Sequence, residues 1–187
     1  MQCKIQDIAI VRTGSYIKEL QESDVHYLQV NNFDKVNDKF ILPKPTLELN
    51  NKIQKHLLLE GDILLAAKGT YNFCTVFHER MGNAVASSSF LILRIFDQSV
   101  VNPNYLCWIL NREDSLAFLK VNAIGTSIPS ISKAFVKDFA INVPPMHVQC
   151  KIVAISKLQQ REQKISEKIF YLRNKLIQKR LVEITKK

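Results

Sequence analysis

The chain has 187 residues, 47% of them apolar and 23% charged, a globular composition that excludes disordered, collagenous and membrane-spanning chains. Lys and Arg number 26 against 17 Asp and Glu, a formal net charge of +9 that favours an anionic partner. Eleven basic and three acidic residues lie between His147 and Lys187, so +8 of that charge sits on this last segment and the body before it is nearly neutral.

Ile5 to Val11 is apolar at five positions, which suits a short helix or a turn-bounded strand before Gly14. Val25-His-Tyr-Leu-Gln-Val30 alternates and is rich in β-formers, so it reads as a strand, with a turn cluster over Asn31–Asp34. Pro43 and Pro45 are expected to interrupt regular structure. A short helix is expected around Asn51–Lys55. Gly61-Asp62 marks a turn into a buried strand, Ile63–Ala67, bounded by Gly69. Asn72–Phe77 and Ser89–Phe96 read as further strands, linked through Met81-Gly-Asn83. Asn102 caps a helix with Pro103 at its first position, and a second short helix covers Asp114–Val121. Gly125–Pro129 is a loop and Phe139–Val143 a strand.

Pro144-Pro145 divides a body, 1–145, from a helix of about Met146 to Ile184 that contains no Gly and no Pro. Ile155, Leu158, Ile165, Ile169, Leu172 and Leu176 recur mostly at threes and fours, the spacing of a coiled coil, with Glu162 interrupting the seam. After Leu176 the stripe shifts to Ile177, Leu181 and Ile184, as a stutter would shift it. Such a stripe needs an apolar partner, and the body offers no second helix of that length. A second copy is therefore expected to supply one, making a homodimer.

Cys3, Cys74, Cys107 and Cys150 form no CxxC, and the start of the chain lacks the apolar run of a signal peptide, so a reducing, cytoplasmic setting and no membrane association are expected. The five glycines spell neither GxGxxG nor a Walker pattern, so no nucleotide or S-adenosylmethionine loop can be drawn and no cofactor is expected. No metal site is expected either, because Cys74 and His78 have C-x3-H spacing but no second pair. Asn142-Val-Pro-Pro145 is similar to the N/D-P-P-F/Y loop of amino-methyltransferases, but a Val intrudes and Met146 stands where the stacking aromatic belongs. Glu162-Gln-Lys164 is formally an ExK, as in nucleases, but it lies within the long helix with no paired Asp on a strand. No catalytic residue can be named.

The residues suited to binding lie on loops. Lys68-Gly-Thr-Tyr-Asn-Phe73 joins a strand end to a cation, a hydroxyl, an aromatic and an amide, groups that meet phosphates and base edges. The serines Ser87–Ser89 and the loop at Thr126-Ser127 offer weaker versions of the same chemistry.

The order of these elements resembles one family. Gly61-Asp-Ile-Leu64 followed by Gly69-Thr70 is similar to the GDIL…GT segment of specificity subunits of type I restriction-modification systems. Gly125-Thr-Ser-Ile-Pro-Ser-Ile-Ser132 resembles their loop before the last strand. Ile141-Asn-Val-Pro-Pro145 with Gln149 and Ile152 resembles their start of a long helix, although Met146-His-Val148 departs from the usual Leu and acid. Ile8-Ala-Ile-Val-Arg-Thr-Gly14 resembles the opening of a target recognition domain.

The resemblance implies an α+β fold: a recognition domain with a twisted β-sheet and short helices, followed by a long coiled-coil helix. Full-length members have two of each; one of each here implies a half-subunit. The resemblance further implies that the chain reads half of a bipartite double-stranded DNA target, docks methyltransferase subunits and a restriction subunit, and is not itself an enzyme. Ser15, Tyr16, Lys18, Lys68, Thr70, Tyr71, Asn72, Ser127 and Lys133 are the DNA-contact candidates, by loop placement, donor chemistry and family-like position. A coiled-coil scaffold protein with no DNA role is the alternative, and a stand-alone methyltransferase or nuclease is third.

Overall fold

The computed structural model describes residues 2–18, 24–34, 39–69, 71–123, 125 and 129–185, and divides into two compact units, 1–149 and 150–187.

The first unit is built on two sheets. The larger has the order β2 (Ala9–Thr13), β10 (Phe90–Ile95), β7 (Ile63–Ala66), β8 (Cys74–Val76), antiparallel throughout. Its central strands β7 and β10 are almost wholly buried, which explains why their sequences run apolar without alternation. The smaller sheet places β3 (Val25–Leu28) between β6 (Pro45–Leu47), antiparallel, and β9 (Ala84–Ala86), parallel. One core cluster joins the two: Leu28, Ala84 and Ala86 of the small sheet with Leu64, Ala66, Phe90 and Ile92 of the large one. Phe33 of β4 (Phe33–Asp34) enters it and stacks on Phe73 at a centroid distance of 4.0 Å. β4 pairs with β5 (Lys39–Phe40). On the outer side of the small sheet, Val25, Tyr27 and Leu47 pack with Ile53 of α2 (Asn51–Gln54), a helix capped by Asn50, whose Oδ1 accepts from the N–H groups of Lys52 and Ile53 at 3.0 Å.

Helices flank the large sheet: α1 (Ile5–Ile8) and α5 (Lys133–Asp138) against β2, and α3 (Pro103–Asn111) against β8, with α4 (Glu113–Val121) against α3. Asn102 caps α3 as its sequence requires, its Oδ1 accepting from Asn104 N–H at 2.9 Å. Among the ion pairs of this unit, one has a buried carboxylate. Asp62 is 1% exposed, and Arg94 grips it with two hydrogen bonds, Nε to Oδ1 at 2.7 Å and Nη2 to Oδ2 at 2.6 Å. The carboxylate holds the Arg94 pKa above its ordinary value.

Two ends of the body meet in a small sheet of their own, β1 (Gln2–Lys4) with β11 (Ala140–Asn142), where Gln2 faces Asn142. Beyond Pro144-Pro145, α6 runs from Met146 to Ile184. Its first turn belongs to the body through Gln149, which is fully buried. Gln149 Oε1 accepts from Asn102 N–H at 2.9 Å, and its Nε2 donates to the carbonyls of Val100 and Pro144, both at 2.8 Å.

The α+β reading stands, and the long helix has the bounds its sequence implies. Several local readings are corrected. Ile5–Val11 is both helix and strand, α1 running directly into β2. Pro45 does not interrupt regular structure: it opens β6, an edge strand bonded only to β3, where the missing N–H costs no ladder bond. The strand expected from Asn72 starts at Cys74, because Asn72 closes the preceding turn. The strands are divided among four sheets instead of one. β1, β9 and α5 were not expected; each has six residues or fewer, too few to show a period.

Candidate nucleic-acid interface

Four segments converge where β7 and β9 end. After β2 the chain turns at Gly14, whose N–H donates to Phe90 O at 2.9 Å, and Ser15 N–H donates to Ala86 O at 2.9 Å. Ser15 pairs in parallel with Ser87. The approach is so close that a Cβ on Gly14 would lie 2.1 Å from Ser87 O, so only glycine fits. The serine segment then meets the end of β7: Ala67 N–H donates to Ser89 O at 2.9 Å and Lys68 N–H to the same oxygen at 3.3 Å. Lys68 in turn bridges to Ser130, with Gly69 N–H donating to Pro129 O at 3.0 Å. Backbone bonds thus tie segments 14–15, 67–69, 87–89 and 129–131 into one platform, three of them continuing strands of the sheets.

The platform carries a cleft of about 510 Å³ whose walls include Tyr16, Lys18, Tyr27, Gln29, Asn31 and Ser87–Ser89. Tyr16 is 88% exposed at its rim and Lys18 is exposed beside it. Ser15 is positioned from both sides: its Oγ bonds His56 Nδ1 at 2.8 Å, and its carbonyl accepts from Tyr27 O–H at 2.8 Å. Ser87 is buried, and its Oγ has no hydrogen-bond partner. Lys68 is exposed, and Tyr71 is 39% exposed with its ring 5.5 Å from Phe73.

Asn72 does not join them. It is buried, and its Nδ2 donates to Ala66 O at 2.8 Å, so the amide expected to meet bases instead holds the turn. Lys133 is exposed at the first position of α5, three residues past Ser130 in sequence, and Ser132 Oγ caps that helix by accepting from Phe135 N–H at 3.1 Å. Thr70 and Ser127 lie outside the described residues. Sequence reading missed Tyr27, Gln29 and Asn31 as wall residues. The signal was present: a strand whose alternation ends in Gln29, Asn31 and Asn32 delivers amides to a sheet end, but it also reads as an ordinary turn.

In the second unit, Ile155, Leu158, Ile165, Ile169, Leu172 and Leu176 are between 49% and 65% exposed along α6. Lys157, Arg161, Lys164 and Lys168 flank Ile165 on the same helix. Among the described residues, no group of three or more His, Cys, Asp or Glu is placed to hold a metal ion, and no helix is long and apolar enough to cross a membrane.

The fold has solved counterparts. The S subunit of a type I restriction-modification system from M. genitalium superposes with a TM-score of 0.61 at 15% identity, covering 89% of this chain and 41% of that one. The HsdS subunit from Thermoanaerobacter tengcongensis gives 0.62 at 13% identity, with 89% and 38% covered. A structure describing complex assembly and conformational transition of the type I R-M system gives 0.58 at 15%, with 89% and 40% covered. The chain therefore spans about two fifths of the length of these solved relatives. No curated protein matches it in sequence. The family model of the type I restriction modification DNA specificity domain matches residues 1–186. By that match across nearly its whole length, and with a fold shared with solved specificity subunits, the chain belongs to the family of type I restriction-modification DNA specificity domains.

Proposed function

We propose that the chain reads one half of a bipartite double-stranded DNA target and, through α6, docks methyltransferase subunits and a restriction subunit in the cytoplasm, itself catalysing nothing. The observation that carries this is the platform: four loops held by backbone bonds, presenting Tyr16, Lys18, Lys68 and Tyr71 beside a cleft walled by serines and amides. Cations there meet phosphates, and the aromatic and amide groups meet base edges. Its division of labour is a recognition domain over 1–145 and a spacer helix over 146–187.

The test is a mobility-shift titration with a randomised duplex pool, with a methyltransferase subunit of a type I system added. The expected result is selection of one sequence, with log affinity falling by about 0.9 per neutralised phosphate for each tenfold rise in salt. Lys68→Ala weakens binding to all duplexes alike, while Tyr71→Ala changes the preference among them. Absence of any selected sequence with the partner present favours the scaffold reading, and methyl transfer or cleavage by the purified chain overturns the non-catalytic one.

The stripe on α6 supports an antiparallel homodimer. Covering each large side chain contributes roughly 1.5–3 kcal/mol, and antiparallel pairing offsets the cations and brings Glu162 and Glu167 toward those of the second copy. Sedimentation should give a dimer for wild type and a monomer for Ile169→Lys with Leu172→Lys. A monomeric wild type at micromolar concentration refutes it.

A further inference from the structure

Behind Ser15 lies a second and smaller cavity of about 140 Å³, well above the ~15 Å³ that admits one water. Its wall includes Arg12, Ser15, Lys55 and His56, with apolar Val85, Ala86 and Ile92 closing the inner side. Arg12 stands on β2 opposite Ile92 of β10. Its Nε and Nη2 are buried, and neither has a hydrogen-bond partner. Buried guanidinium donors almost always find an acceptor, because desolvating them unpaired is costly.

The Asp62 carboxylate does not partner Arg12. Asp62 attracts Arg12 electrostatically, but both its oxygens are held by Arg94, and Oδ2 also accepts Leu59 N–H at 2.9 Å. Arg94 instead acts on Arg12 as a like charge. Burial first and Arg94 second lower the Arg12 pKa. Lys55 ends α2 on the exposed side of the cavity, and His56 follows it, held by Ser15 Oγ at 2.8 Å. Two cations, an imidazole and the hydroxyl residues Thr13 and Ser15 therefore surround one small space, and among the described residues no acid lines it.

We propose that Arg12, Lys55, His56 and Ser15 form a binding pocket for a single tetrahedral oxyanion, a phosphate group. Arg12 lines the cavity, and its Nε and Nη2, enclosed behind the wall, form a fork of two N–H donors that matches two oxygens of a phosphate once the side chain turns toward it. Lys55 adds a point charge at the exposed side. The phosphate is either free in solution or part of a polynucleotide backbone docked on the neighbouring platform. In the second case the pocket deepens the DNA reading and rests on it, with Arg12 fixing the register of the duplex while carrying no sequence information.

Calorimetry with inorganic phosphate, against chloride at matched ionic strength, tests the pocket. The expected result is saturable binding to one site per chain, weakened at least about tenfold by Arg12→Met, as for the loss of a charge-assisted hydrogen-bonded partner. Lys55→Met at the exposed side, which does not touch the core, should weaken it in the same direction and keeps the test valid if Arg12→Met fails to fold. No saturable binding by wild type overturns the proposal, as does binding left unchanged in both variants. A short duplex added to the phosphate-loaded protein then identifies the source. Stoichiometric displacement of phosphate assigns the pocket to the DNA backbone. Duplex binding without displacement assigns it to free phosphate. Failure to bind even the duplex selected with the methyltransferase subunit, in that subunit's presence, refutes the DNA reading and leaves the phosphate pocket standing.

Discussion

Replacing Gln149 by leucine keeps the side chain's bulk and removes its three hydrogen bonds, to Asn102 N–H and to the carbonyls of Val100 and Pro144. Each such bond has a net worth of about 1 kcal/mol, so the loss comes to about 3 kcal/mol. For a domain of this size each kcal/mol moves the midpoint by about 2–4 °C, which places Gln149→Leu about 6–12 °C below wild type in thermal unfolding followed by circular dichroism. Gln149→Glu sharpens the reasoning. The introduced carboxyl can still accept from Asn102 N–H, but its other oxygen faces two carbonyl oxygens where an amide donor stood. Burial and those carbonyls raise its folded pKa above the ordinary ~4.3. A raised folded pKa means stability that is present at low pH and lost as pH rises through that value. Gln149→Glu should therefore be less stable than Gln149→Leu at pH 8 and recover relative to it at pH 5. A Gln149→Leu midpoint within about 1 °C of wild type, well inside the expected shift, would refute the argument. So would a Gln149→Glu deficit that does not change with pH.

Arg94→Met leaves the buried Asp62 carboxylate unpaired and should cost about 3–5 kcal/mol in urea unfolding, with part of the loss recovered when Asp62→Asn is added. Gly14→Ala forces a methyl against Ser87 O and Ala86 O, both backbone atoms, and should cost about 3 kcal/mol and expose the amides of the serine segment to hydrogen exchange. The Glu60 carboxyl is held below its usual pKa by the backbone N–H of Glu79 and by His78, so its contribution to stability is present above the ordinary carboxylate range and lost as pH falls below it. Wild type and Glu60→Gln should accordingly differ at pH 6 and approach each other in denaturant midpoints as pH falls below the ordinary carboxylate range.

What could be read in the sequence was whatever announces itself over a long run or by a specific cap. Asn102-Pro103 marked α3 because an amide cap and a proline with no N–H to lose both fit a helix start. The length of α6 followed from 39 residues without Gly or Pro. β7 was legible because a strand covered on both faces is apolar without interruption. β9 was not, since three residues, Ala84-Val-Ala86, carry no period and gain their place only from a parallel ladder with a distant strand. For the site, loop chemistry led to Lys68, Tyr16 and Lys18, which do lie on exposed positions of the platform. It misplaced Asn72, because an amide after a glycine serves equally to read a ligand or to close its own turn, and only the carbonyl of Ala66 decides between them. Arg12 carries no signal of its own in the sequence; its unpaired buried donors are a property of the space around it.

The pairing of Gln2 with Asn142 brings the two ends of the body to one seam, directly before the prolines that precede α6. A module whose ends sit side by side behaves as a cassette. It can be exchanged for another of its kind through two nearby junctions, with the strand pairing of β1 and β11 restored by backbone bonds that depend little on side-chain identity. The helix that follows keeps its length and its stripe through such an exchange. The surface of the platform and the length of α6 can thus vary as separate traits.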